Sequence, residues 1–263
     1  MSISFDKQKV IFWGEFLKTI QFMYSPGVLN PTQPAKFPKG WKLVKNINAD
    51  VAVGSIDRKE FMGVVAQSLD DPNKFAVVLR GVQGILDVLE DFDFDMVNFD
   101  LIPNGGKTEH GFTRFYKSFS FVDPTSGVSV SLEKYLKDLP KTVSFTVAGY
   151  SMGGALATLH AVVLAYQNIQ VEVYTFASPM VGNVEFVKRY RTFIHNSYFI
   201  VNVPDIIPKL PGGFFGYQHV TAPILINSLN HPQIKKDIFC YHHIEVYLYA
   251  LGAPNINLGT CKV

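Results

Sequence analysis

Short apolar runs of strand type alternate along the chain with stretches of helical period, and polar, turn-forming clusters separate them. Phe61-Met62-Gly63-Val64-Val65-Ala66 and Phe75-Ala76-Val77-Val78-Leu79 flank Asp70-Asp71-Pro72-Asn73, a break that predicts a strand pair. Val143–Ala148, Val171–Phe176 and Tyr198–Asn202 are further β-branched and aromatic runs. Between them, Gly154–Ala161 and Val184–Phe193 read as helices, and a last helix is predicted from about His242 to Leu251, with Ile244, Val246, Tyr247, Leu248 and Leu251 as its apolar side. A first helix is predicted around Ile11–Met23, followed by a Pro- and Gly-rich extended connection from Ser25 to Pro38. Alternating strands and helices predict an α/β fold, with a mainly parallel central sheet and helices on both faces. No repeat, low-complexity tract or polar linker divides the sequence, so a single domain over 1–263 is expected. Residues 1–50 carry no motif and are expected to pack on it as a helical and extended extension.

One junction in this pattern carries chemistry. Gly149-Tyr150-Ser151-Met152-Gly153 joins the strand ending at Ala148 to the helix that follows. Alone, a G-x-S-x-G pentapeptide is weak; its strand-before, helix-after setting is what gives it meaning. So sharp a turn forces its central residue into strained backbone angles and lifts the side chain off the sheet edge. Glycines two residues to either side let strand and helix pass closely. The Ser151 hydroxyl is then free above a helix N-terminus, where developing negative charge is stabilised.

Composition narrows the remaining classes. The 263 residues are 48% hydrophobic and 17% charged, enough for a sizeable core. Lys+Arg number 24 against Asp+Glu 22, and no basic block occurs, so nucleic acid is not an expected partner. No run approaches the length of a membrane-spanning helix. Met1–Leu29 mixes charges with its apolar residues, so no secretory signal is expected there, and compartment stays open. Cys240 and Cys261 give no framework: one pair near the C-terminus and two free thiols are both open.

A serine hydroxyl needs a base to take its proton and an acid to orient that base. On such a fold the chain order is serine, acid, histidine. Asp205, in Asn202-Val203-Pro204-Asp205-Ile206-Ile207-Pro208, follows a predicted strand, in the loops where these sheets put their chemistry; a plain surface-turn aspartate is the alternative. Among the seven histidines, His110 and His160 precede that acid, and His195, His219 and His231 have no obvious helix-start placement. His242-His243 opens the last helical pattern. His242 is the preferred base and His243 the alternative. No His-x3-His or Cys-x2-Cys spacing accompanies the pair, so no metal is expected.

Taken together, these motifs resemble the class 3 lipases, the α/β-hydrolase family of fungal triacylglycerol lipases and plant-type acylhydrolases. The likeness is spread from about residue 60 to 251. Gly149–Ala157 is similar to the family's G-[HY]-S-[LM]-G-G-A-L-A, Phe176–Asn183 to F-G-x-P-R-V-G-N, and Asn202–Pro211 to N-x-x-D-x-[VI]-P-x-L-P. Tyr217-Gln218-His219 resembles a structural Y-x-H element, and His242–Leu248 fits H-x-[LM]-x-x-Y-L with His242 as base. The resemblance implies an α/β-hydrolase fold and a Ser151–His242–Asp205 triad. Leu79-Arg80-Gly81-Val82 stands where the family has F-R-G-[TS], which implies an oxyanion hole from the N–H groups of Val82 and Met152.

The sequence departs from the pattern at several positions, four of which bear on the site or its surroundings. Val82 lacks the usual hydroxyl, Glu109 stands for a histidine, Met180 for an arginine, and Val88 for a lid tryptophan. Residues 83–96 interleave apolar and acidic positions at helical spacing where fungal relatives carry a lid. A mobile lid and a fixed core-packed helix are both open readings of that segment.

The expected activity is serine carboxylic-ester hydrolysis of acyl-lipid esters through an acyl-enzyme, with no cofactor or metal. Its partners would be a lipid or small ester substrate and a transient lipid interface, with no obligate protein partner. The alternatives are a soluble esterase for short or aromatic esters, and a non-catalytic lipid- or partner-binding module on the same fold.

Overall fold

The computed structural model describes residues 5–53, 56–82, 84 and 94–263. Most of the amphipathic 83–96 segment therefore lies outside the described residues. Helix α1 (Lys7–Met23) starts at Asp6, whose carboxylate accepts the Gln8 and Lys9 N–H groups. Strands β1 (Trp41–Val53), β2 (Ile56–Ser68) and β3 (Lys74–Leu79) follow, then β4 (Met96–Asn98) and β5 (Lys107–Glu109), which pair with each other. Helix α2 (His110–Lys117), strands β6 (Ser120–Val122) and β7 (Ser129–Ser131) and helix α3 (Leu132–Asp138) lead to β8 (Ser144–Tyr150). The second half runs α4 (Met152–Tyr166), β9 (Gln170–Phe176), α5 (Val184–Phe193), β10 (Ser197–Asn202), β11 (Pro223–Ile226), α6 (Ile238–His242) and α7 (Ile244–Ala250).

The main sheet has nine strands in the order β11-β10-β9-β8-β3-β2-β1-β6-β7. From β3 to β11 every pairing is parallel, because a crossover connection returns the chain to the same end each time. On the other side, β2, β1, β6 and β7 extend the sheet by antiparallel pairing. The pairing of β2 with β3 matches the predicted strand pair around Asp70–Asn73. The long strand β1 has no counterpart in the sequence reading. Polar and charged residues interrupt its alternation, and two register shifts break its pairing with β2.

Side chains alternate across the sheet and feed two cores. Val77, Leu79, Phe145, Val147 and Val173 pack under α2, α4 and α5. Ala76, Val78, Ala148, Tyr150, Tyr174 and Phe176 pack under α1 and α7. Helix α4 is buried on every side from Met152 to Leu164, which explains its almost uninterrupted apolar sequence.

The C-terminal helix differs from expectation. The structure divides the region around His243, whose backbone is extended at φ −63°, ψ 136°. A continuous helix would pair the Tyr241 and His242 carbonyls with N–H groups four residues on. Instead, the Asn202 side chain donates to the Tyr241 carbonyl at 2.8 Å, and the Tyr150 hydroxyl donates to the His242 carbonyl at 2.6 Å. Outside partners for both carbonyls let the helix break there. His242 thus ends α6, and α7 begins at Ile244. The two cysteines are joined as a disulfide with Cα atoms 5.4 Å apart, linking α6 to the C-terminal turn.

Candidate active site

The site forms at the C-terminal ends of the parallel strands. Strand β8 ends at Tyr150, Ser151 makes the turn, and α4 starts at Met152. Ser151 has φ 57° and ψ −130°, a region that L-residues enter only when the surroundings impose it. The imposing contacts are local. The Ser151 N–H donates to the Phe176 carbonyl at 2.9 Å, and its own carbonyl accepts the Gly154 N–H at 2.8 Å. A Cβ at Gly149 would clash with the Gly153 backbone, and one at Gly153 would clash with the Leu79 and Arg80 carbonyls. Helix α4 therefore sits against the end of β3, and only glycine fits at these two positions.

Asp205 is fully buried in the turn after β10. Its Oδ1 accepts the Ile207 N–H at 3.0 Å. Its Oδ2 accepts two donors, His242 Nδ1 at 2.8 Å and the Tyr247 hydroxyl at 2.7 Å. On the other side of the ring, His242 Nε2 lies 2.8 Å from Ser151 Oγ. A carboxylate only accepts, so the proton sits on Nδ1 and Nε2 offers its lone pair to the serine hydroxyl. His243, the alternative base, is exposed at the helix break and joins neither contact.

Two tyrosines outside the sequence reading brace this chain. Tyr150 stacks on the His242 ring, with centroids 5.2 Å apart, while its hydroxyl holds the His242 carbonyl. Burial, reinforced by the Asp205 carboxylate, keeps the Tyr150 and Tyr247 phenols well above their ordinary pKa, so both remain donors. Asn202 is also buried. It donates to Ser228 Oγ at 2.9 Å and to the Tyr241 carbonyl, and accepts the Ser228 N–H, so the end of β10 is tied to the element carrying His242. The signal for Tyr247 was its position in the helix downstream of His242; for Tyr150 it was its place beside Ser151.

The loop expected to supply one oxyanion-hole donor passes close to Ser151. A Cβ at Gly81 would touch the Tyr150 ring and Ser151 Cβ, so the Gly81-Val82 backbone lies against the nucleophile turn. Among the described residues, neither the Val82 nor the Met152 N–H has a backbone partner. Arg80 fixes this loop from beneath. Its guanidinium is wholly buried and donates to the Phe61 carbonyl at 2.6 Å, the Gly81 carbonyl at 2.7 Å and Glu60 Oε2 at 3.0 Å. It also lies 3.6 Å from the Tyr24 ring centroid. The arginine at the end of a buried strand was the available sequence signal; the partner Glu60, twenty residues earlier, was not visible.

A cavity of about 370 Å³ opens beside Asp205 and His242, lined also by Val82, Tyr150, Ile207, Ile238 and Phe239. Ser151 itself is only 1% exposed. Glu109 lies elsewhere: its carboxylate caps α2, accepting the Gly111 and Phe112 N–H groups at 2.8 and 2.6 Å. Burial raises its pKa to about 7. No group of His, Cys, Asp and Glu that could hold a metal occurs among the described residues.

The fold matches solved structures over most of the chain. The native Rhizomucor miehei lipase propeptide complex aligns with a TM-score of 0.61 at 21% identity, covering 83% of this chain and 68% of that one. The nonglycosylated Yarrowia lipolytica LIP2 lipase aligns with a TM-score of 0.63 at 19% identity, covering 84% and 81%. These likenesses give the α/β-hydrolase fold. In sequence, phospholipase A1-II 3 of Oryza sativa subsp. japonica is 28% identical over 226 residues, 73% of this chain and 53% of the relative. The secreted mono- and diacylglycerol lipase 1 of Fusarium solani is 29% identical over 174 residues, 66% and 50%. The chain thus spans about half the length of these two relatives. The sequence model described as Lipase (class 3) matches residues 76–215, more than half the chain and the stretch that carries Ser151 and Asp205, and this chain belongs to the class 3 lipase family.

Proposed function

We propose that this protein is a serine carboxylic-ester hydrolase that cleaves acyl-lipid esters through an acyl-enzyme. The observation that carries the reading is the unbroken chain Ser151 Oγ–His242–Asp205, with both contacts at 2.8 Å on a strained strand-to-helix turn. In the reaction, Ser151 Oγ attacks the ester carbonyl while His242 Nε2 takes its proton. Asp205 holds the ring and stabilises the imidazolium. The carbonyl oxygen, as it gains charge, accepts the N–H groups of Val82 and Met152; each such donor is typically worth about 3 kcal/mol in the transition state. The tetrahedral intermediate collapses, the C–O bond breaks, and His242 returns the proton to the departing alkoxide. Water then attacks the acyl-enzyme by the same route and releases the carboxylic acid and free Ser151.

An acyl lipid is the substrate class that fits the apolar cavity wall of Ile207, Ile238 and Phe239, and the names of the phospholipase A1 and mono- and diacylglycerol lipase relatives agree with it. Phe239 is 61% exposed at this mouth, an apolar contact for a lipid surface. The test is labelling with a fluorophosphonate together with hydrolysis of long-chain glycerides, phospholipids and short nitrophenyl esters. Ser151→Ala should abolish labelling and lower hydrolysis by several orders of magnitude. Retained hydrolysis rejects the assignment, turnover of short esters alone gives a soluble esterase, and wild-type protein that neither labels nor hydrolyses gives a binding module.

A further inference from the structure

Helix α1 buries most of its apolar residues in the core and leaves Phe22 exposed at one edge. Val10, Trp13, Phe16, Leu17, Ile20 and Met23 face the core. Phe12, Thr19 and Phe22, beside that buried face, line a groove of about 1150 Å³. Its opposite wall is the Pro-rich extended segment, with Val28, Pro31, Pro34 and Pro38. Phe22 is 71% exposed there and Val28 42%, so the groove has an open apolar lining. None of its lining residues lines the cavity beside Asp205 and His242.

The groove is also polar in a specific sense. Lys18, Lys36 and Lys39 line it and Glu15 is its single acid, which leaves an excess of positive charge. Among the described residues none of these lysines has an ion-pair partner. Lys18 Nζ instead lies over the Phe22 ring, 5.9 Å from its centroid, so a cation sits directly at the apolar lining. A neutral glyceride would fill such a groove and leave its charge unanswered. An amphiphile with one long hydrocarbon chain and one anionic head satisfies both features.

We propose that this groove binds a long-chain fatty-acid carboxylate, with the chain along Phe12, Phe22 and Val28 and the carboxylate among Lys18, Lys36 and Lys39. That class is also the acid released by the hydrolase proposed above; this link alone rests on that reading, and the binding itself does not.

The two tryptophans of the chain report on the groove, because Phe12 meets Trp13 edge-on at 5.0 Å and Trp13 meets Trp41 at 5.5 Å. Oleate, kept below its aggregation threshold, is titrated into the full chain carrying Ser151→Ala while tryptophan emission is followed. A saturable change is expected, weakened roughly tenfold by combined Lys18→Glu, Lys36→Glu and Lys39→Glu, and similarly by Phe22→Asp. Oleyl alcohol should bind more weakly than oleate. A non-saturable signal, equal affinity for the alcohol, or oleate binding unchanged in both variants overturns the proposal; circular dichroism identifies any variant that is unfolded. Wild-type protein blocked with a fluorophosphonate should bind oleate undiminished, and loss of binding on blocking would put the ligand in the triad cavity instead. A protein that labels but binds no oleate refutes the groove and leaves the hydrolase. One that binds oleate but never labels refutes the hydrolase and leaves the groove.

Discussion

Tyr247 donates its hydroxyl to the same Asp205 oxygen that receives His242 Nδ1, at 2.7 Å against 2.8 Å. Both donors come from the short stretch that contains the helix break, so α6 and α7 grip one carboxylate oxygen from two sides. The second donor steadies the carboxylate without competing for the serine. Tyr247→Phe removes one oxygen atom and leaves the ring packed against Phe176. The variant is expected to fold and to label with a fluorophosphonate. Its kcat should fall roughly tenfold with KM little changed, because a single donor acting on the reacting chain is lost. Steady-state kinetics on a soluble ester would check this, and an unchanged kcat would show the hydroxyl to be purely structural.

The Arg80–Glu60 pair sits under the proposed oxyanion loop, and both charges are removed from water. Arg80 is the better-buried partner, and desolvation pulls its pKa down while Glu60 and Tyr24 pull it up. Glu60→Gln leaves that guanidinium without its counter-charge and should cost about 3 kcal/mol of stability. Arg80→Lys keeps a charge but loses the fork that reaches Phe61, Gly81 and Glu60 together. It should lower kcat more than it lowers the urea midpoint, since the Gly81 contact positions the loop. Equal losses in both would mean that Arg80 serves only folding.

Much of this arrangement was legible in the sequence because the relevant signals are local. Gly149–Gly153 states the turn, the apolar runs around it state a strand and a buried helix, and Asp205 follows a strand within a proline-stiffened loop. What was not legible depends on contacts between distant segments. Nothing near Glu60 announces an arginine twenty residues on, and nothing near His243 announces that Asn202 and Tyr150 will take the carbonyls that a continuous helix would use. Strand β1 stayed hidden for a related reason: its buried Asn46 amide donates to a distant segment, to Asn30 Oδ1 and the Pro31 carbonyl. The cysteine pairing is likewise a property of the folded C-terminus, where residues 21 apart in sequence come together.

That disulfide closes a loop containing both His242 and Tyr247. By loop-closure entropy it should contribute about 3 kcal/mol. Replacing both cysteines by serine is expected to lower the urea midpoint accordingly. Within the folded range kcat should change only a few-fold, because Asn202 and Tyr150 hold the His242 backbone independently of the bridge. Unfolding curves and kinetics measured on the same preparations separate the two effects. A collapse of kcat at unchanged stability would assign the bridge a direct role in placing the base.

Glu109 gives the chain a pH dependence of its own. Desolvation raises its folded pKa to about 7, while the Phe112 and Gly111 N–H groups and the Arg114 charge pull the other way; burial and the Glu109 charge in turn raise the Tyr217 phenol. Unfolded, the carboxyl returns to roughly 4.3. The folded state therefore binds the proton more tightly, and stability from this group is fully present below the unfolded value and lost as pH rises through 7. The loss is on the order of 4 kcal/mol across that window, since each tenfold difference in proton affinity between the two states is worth about 1.4 kcal/mol. Glu109→Gln keeps one acceptor for the α2 cap and cannot ionise. Its stability should be lower than wild type in acid, where its amide must sit near an N–H donor, and should fall less steeply toward pH 7. Urea midpoints of both proteins at intervals from pH 4.5 to 7.5 measure the two slopes, and parallel curves would show that Glu109 is already ionised in the folded protein.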